Sequence, residues 1–154
     1  MGLFTLHKYP AVREVKLSKE YKFMYENFIF STQSTLYLLL EENNSVIDAL
    51  TFSKSLLHKY GHPNDELEHP LSKYGLGVYG LFEVDNSEWI AEIKRKGMSH
   101  PKYFDGLYNN TKHYVARFKD VTLEVLSADY KLMQINKADF INIINKEIDY
   151  LKVD

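Results

Sequence analysis

The side chains best suited to acid–base work lie close together in the chain: His100, His113, Arg117 and Glu124. If residues 113–127 form a hairpin turning at Lys119-Asp120, then Phe118 faces Val121, Ala116 faces Leu123 and Tyr114 faces Val125. Those pairs are apolar and share one face, whereas Arg117 opposite Thr122 and Val115 opposite Glu124 occupy the other. A slip of one residue would mix the two sets, so the pattern selects this register. An imidazole, a carboxylate and a guanidinium on one sheet face, with Trp89 and His100 nearby, are the parts of an acid–base site. On a solvated face the same groups would be surface ion pairs that stabilise little. The solvated face is the expectation: His113, Arg117, Thr122 and Glu124 point away from the core, and Glu124→Gln or Arg117→Gln changes stability by less than about 1 kcal/mol. A second layer over that face, burying Arg117 with Glu124, would favour chemistry over binding.

Other motifs have simpler explanations. Gly75-Leu76-Gly77-Val78-Tyr79-Gly80 matches G-x-G-x-x-G, but a dinucleotide loop must follow a strand and open a helix. Neither flank reads that way, and no kinase-type His-Arg-Asp or Asp-Phe-Gly accompanies it. The expectation is glycines that let a strand bend or an aromatic ring lie across the backbone. Asp85, Glu92 and Lys94 imitate a nuclease D…E-x-K set, yet Glu92 and Lys94 fall on a helix, where positions i and i+2 diverge. Three histidines precede proline: His62, His69 and His100. His62, Asp65, Glu68 and His69 are the weak candidates for a metal, without any established ligand spacing. No metal and no cofactor are therefore expected. No G-x-S-x-G elbow marks a serine nucleophile.

The elements that must position these residues read as follows. Arg13–Leu17, Tyr21–Phe30 and Thr35–Leu40 read as strands of an antiparallel meander. Val46–Tyr60 reads as a helix, capped by Asn44 or Ser45 and stopped by Gly61. Lys73–Val84 reads as a strand. Asp85-Asn86-Ser87-Glu88 resembles a capping box for a second helix ending at Gly97, with Trp89, Ile90 and Ile93 on its buried stripe. Trp89 is expected to be substantially buried, or a binding anchor if exposed. Tyr130–Ile135 extends the hairpin, and Lys137–Lys152 forms a last helix with Asn136 as N-cap and Ile141, Ile144, Ile148 and Leu151 as its stripe. The order β-β-β-α-β-α-β-β-α implies an α+β fold: a mainly antiparallel sheet with about three helices on one face.

A chain of 154 residues suits one domain. There is no cysteine, which excludes disulfides and thiolate chemistry. A cytoplasmic protein is expected, without membrane association, because no signal-like start or long apolar run occurs. The net charge of −2 gives no global attraction to nucleic acid. Lys94-Arg95-Lys96 suits a helix C-terminus better than phosphate. The high Lys, Asn, Ile and Tyr content fits an AT-rich bacterial genome. Two functional classes follow. The first is a small non-enzymatic protein-interaction module, an immunity or accessory protein with a protein partner. The alternative is a small hydrolase or nuclease using His and carboxylates, with or without metal. Twelve Tyr and nine Phe are many for one core, so a homodimer is a further expectation.

Overall fold

Asn44 and Ser45 both adopt positive φ, 50° and 63°. Two consecutive left-handed residues make a type I′ turn, whose twist suits a tight antiparallel hairpin. The chain therefore reverses between β3 (Thr35–Asn43) and β4 (Val46–Ser53). No helix forms over residues 46–60, because β4 and β5 (Leu57–Gly61) take that span. β4 is a central strand buried on both faces, so apolar residues stand at adjacent positions and the period-2 signal is lost. Ile47 and Ala49 face one way, Leu50 and Phe52 the other.

The computed structural model describes residues 8–25, 27–61 and 68–154. It is an α+β fold of two antiparallel sheets. The five-stranded sheet runs β1 (Ala11–Glu14), β6 (Gly80–Asp85), β7 (Lys112–Arg117), β8 (Thr122–Ser127), β5. The four-stranded sheet runs β2 (Phe28–Ser31), β3, β4, β9 (Asp129–Asn136). Two helices, α1 (Glu88–Gly97) and α2 (Lys137–Asp149), and a 3-10 turn at Ser72–Tyr74 complete the described elements.

The sheets enclose the main core. Leu36, Leu38, Leu50 and Phe52 from one meet Leu81, Tyr114, Ala116, Phe118, Leu123 and Val125 from the other. The hairpin register is the one the apolar pairing selects: Arg117 opposes Thr122, Ala116 opposes Leu123 and Tyr114 opposes Val125. Phe118 N–H closes the turn on the Val121 carbonyl at 2.9 Å.

The helices do not share a face. On the outer side of the four-stranded sheet, Phe140 of α2 packs with Ile47, Ala49, Phe30 and Tyr37. On the outer side of the five-stranded sheet lie α1 and the segment around residues 69–77, where Leu76 and Leu71 meet Phe82, Val84 and Val115. Tyr130–Ile135 is part of β9 in the other sheet rather than an extension of β8, because the chain crosses over at Ala128, whose N–H reaches Ser53 O at 3.0 Å. Tyr21–Phe30 contains strand only from Phe28 onward; Phe23, at φ 50°, breaks the extended run. The strand expected from Lys73 starts only at Gly80. In α2 the inward line is Phe140 and Ile144, while Ile141 and Ile148 are exposed. Among the described residues no helix is long and apolar enough to cross a membrane.

Candidate functional site

Alternation along β7 and β8 sends His113, Val115 and Arg117, with Thr122 and Glu124, to the outer face of the five-stranded sheet. That face is not solvated, which corrects the expectation from sequence. His113 and Arg117 are each 4% exposed, and the Glu124 side chain is 16% exposed. The cover comes from α1, whose buried stripe was legible in sequence, and from the residues near His69, which gave no such signal.

Beneath the cover a chain of hydrogen bonds runs through four side chains. Ser87 Oγ lies 2.8 Å from His113 Nδ1. His113 Nε2 lies 2.9 Å from Glu124 Oε1. His69 Nε2 lies 3.4 Å from Glu124 Oε2. Leu71 N–H donates to His69 Nδ1 at 3.0 Å. The last bond fixes the His69 tautomer: Nδ1 accepts, so Nε2 carries the proton and donates to the carboxylate. Glu124, ionised, accepts only, so His113 Nε2 also carries a proton. In the neutral form of that ring, Nδ1 is then left to accept from the Ser87 hydroxyl. The Ser87 oxygen in turn accepts Ile90 N–H at 3.2 Å as the N-cap of α1.

Burial pushes the Glu124 carboxyl up, but hydrogen bonds from His113 and His69, with the electrostatic attraction of the two rings, outweigh it and hold the pKa at about 2. Glu124 is thus a fixed anion between two imidazoles at neutral pH. Both imidazole nitrogens that face it bear protons rather than lone pairs. Among the described residues no three His, Asp or Glu side chains are arranged to hold a metal ion. Of the metal candidates, His69 belongs to this chain of bonds, Glu68 is exposed, and His62 and Asp65 lie outside the described residues.

A cleft of about 500 Å³ opens over the network, with His69, His113 and Glu124 in its floor and Trp89 and Lys59 in its wall. Trp89 is half-buried. Its ring meets the His113 ring edge-on at 5.4 Å, and the Lys59 ammonium sits 4.1 Å above it. Lys59 is the cross-strand neighbour of Glu124, which explains its reach. Arg117 serves a different purpose: its Nη1 donates to the Gly77 carbonyl at 3.3 Å, pinning the glycine segment. His100 is exposed beyond α1, where its Nδ1 accepts Lys102 N–H, and it lines a separate cleft with Tyr103 and Tyr108.

The glycines of the G-x-G-x-x-G match have a packing role. A Cβ on Gly77 would come within 2.8 Å of Phe82 Cζ, so the ring lies directly on this backbone. Gly75 ends the 3-10 turn at φ 105°. Asp85, Glu92 and Lys94 do not converge in the nuclease manner, because Glu92 and Lys94 are helical and Glu92 instead pairs with Lys96 at 2.7 Å.

Sequence reasoning missed Ser87 and the partnership of His69 with the hairpin. Ser87 was legible only as part of a helix start, and it is the N-cap itself, with Glu88 the first helical residue. His69 lies 55 positions from Glu124, a separation that no local pattern bridges. Comparison with protein-family models, curated proteins and solved structures found no match.

Proposed function

We propose that the chain is a small hydrolase whose working groups are His113 and Glu124. The observation that carries this reading is the bond sequence Ser87–His113–Glu124–His69, whose last three members lie in the floor of a cleft. A neutral imidazole with a hydroxyl on one nitrogen and a fixed carboxylate on the other is a poised general base. Glu124 orients the ring and stabilises the imidazolium that forms when Nδ1 takes a proton. His69 holds the second carboxylate oxygen and so fixes the orienting group. Turnover of small chromogenic carboxylic and phosphoric esters tests the reading. Wild type is expected to hydrolyse a member of the panel, and His113→Gln to lose at least about 100-fold in rate. Hydrolysis by wild type at the rate of buffer alone would contradict it.

A second reading, the non-enzymatic interaction module, is favoured by one observation. The edge strand β5 and the region of β2 expose Leu56, Leu57, Tyr60, Tyr25 and Phe28. Exposed apolar side chains along unpaired strand edges are sites for a protein partner. Pull-down of a defined partner that Leu57→Lys abolishes would support this reading.

A further inference from the structure

We infer that Ser87 is the nucleophile of this site and that it is acylated by small carboxylic esters. The inference rests on the hydrolase reading and adds the covalent step to it. Ser87 Oγ lies 2.8 Å from His113 Nδ1, on the side of the ring opposite the nitrogen that faces Glu124. The residue is largely buried and does not line the cleft over His113 and Glu124. Ser87 lines a separate cleft of about 470 Å³ across the start of α1, together with Arg13, Asn86, Ile90, Lys94 and Tyr108. A nucleophile must face substrate while its base and orienting carboxylate lie behind it, and Ser87 has that arrangement with His113 and Glu124.

The local backbone supports the same role. Asn86 takes φ 55° between β6 and α1, a sharp reversal that sets Ser87 at the strand-to-helix junction. Ile90 N–H bonds the Ser87 oxygen at 3.2 Å, and a donor on that oxygen favours its developing negative charge. Ala91 N–H returns to the Ser87 carbonyl at 3.1 Å, leaving Glu88 and Trp89 N–H without intrahelical acceptors, as the first amides of a helix are.

The chemistry balances with water as the second substrate. Ser87 Oγ forms a bond to the ester carbonyl carbon while its proton passes to His113 Nδ1. The bond from that carbon to the alcohol oxygen breaks, and the alcohol leaves with the proton from His113. Water then attacks the acyl-serine and gives a proton to His113, which passes it to Ser87 Oγ as the acyl carbon–Oγ bond breaks, releasing the carboxylic acid with Ser87 restored. Glu124 remains ionised throughout.

A fluorophosphonate reagent tests the assignment, since an activated serine displaces its fluoride and retains the phosphonyl group. Intact-mass analysis should show one adduct per chain, mapped to the peptide containing Ser87. Ser87→Asn, which keeps a helix-capping oxygen but lacks the hydroxyl, should show no adduct while its circular dichroism matches wild type. His113→Gln should label at least about 100-fold more slowly, and Ser99→Ala should label as wild type does. Wild type that hydrolyses esters, depends on His113 and takes no label at Ser87 would overturn the nucleophile and leave His113 activating water directly. Neither label nor turnover would overturn the hydrolase reading with it. Equal labelling of Ser87→Asn would place the reactive residue elsewhere.

Discussion

Glu124 is held between burial, which favours its neutral form, and two imidazole donors, which favour the anion. The donors prevail, and the folded-state pKa falls to about 2 from an ordinary 4.5. A depressed carboxyl stabilises the fold above its unfolded pKa, and that stabilisation is lost as pH falls through the folded value. The advantage of wild type over Glu124→Gln should therefore be full above pH 5 and close between about pH 4.5 and 2. The shift corresponds to roughly 3–3.5 kcal/mol at most. Chemical denaturation of both proteins across that range checks it, and a constant gap would show that Glu124 titrates normally. At Gly77 the constraint is steric. An added methyl meets the buried Phe82 ring at 2.8 Å, so Gly77→Ala should cost roughly 1–3 kcal/mol by overpacking. Thermal melts measure this directly.

The hairpin of β7 and β8 shows which elements are legible in sequence. Its inner face, Tyr114, Ala116 and Phe118 against Leu123 and Val125, is apolar without interruption, and only one register keeps it so. Leu123, fully buried in the main core, should lose roughly 2–5 kcal/mol as alanine. Trp89, half-buried and bridged by Lys59, should lose about half the cost of a fully buried Trp, roughly 2 kcal/mol. A Trp89→Ala loss as large as that of Leu123→Ala would place the ring in the core after all. The starts of α1 and α2 were also legible, since Ser87 and Asn136 accept hydrogen bonds from Ile90 and Ala138 N–H. β4 was not, because burial on both faces erases alternation and Asn44-Ser45 serves a hairpin turn as readily as a helix cap. The outer side of the hairpin was read correctly as polar and wrongly as wet. Its cover is supplied by residues near His69 and by α1, and strand alternation tells which side a residue takes but not what lies over it.

The whole molecule is layered as helix, sheet, sheet, helix, with the main apolar core between the sheets and the polar network between the five-stranded sheet and its cover. That placement gives His113 and Glu124 a rigid base of paired strands, while Ser87 and His69 arrive from separate segments. The site is therefore a product of tertiary folding and exists only when all four parts are assembled. Its central requirement is that the Ser87 proton can pass to His113, which demands an unprotonated lone pair on Nδ1. Imidazole nitrogen NMR of uniformly ¹⁵N-labelled protein at neutral pH reads this tautomer. Both His69 and His113 should carry their protons on Nε2, and the His113 Nδ1 resonance should be that of an acceptor. A proton on His113 Nδ1 would contradict the account, because Ser87 would then receive a hydrogen bond from the ring it is proposed to protonate.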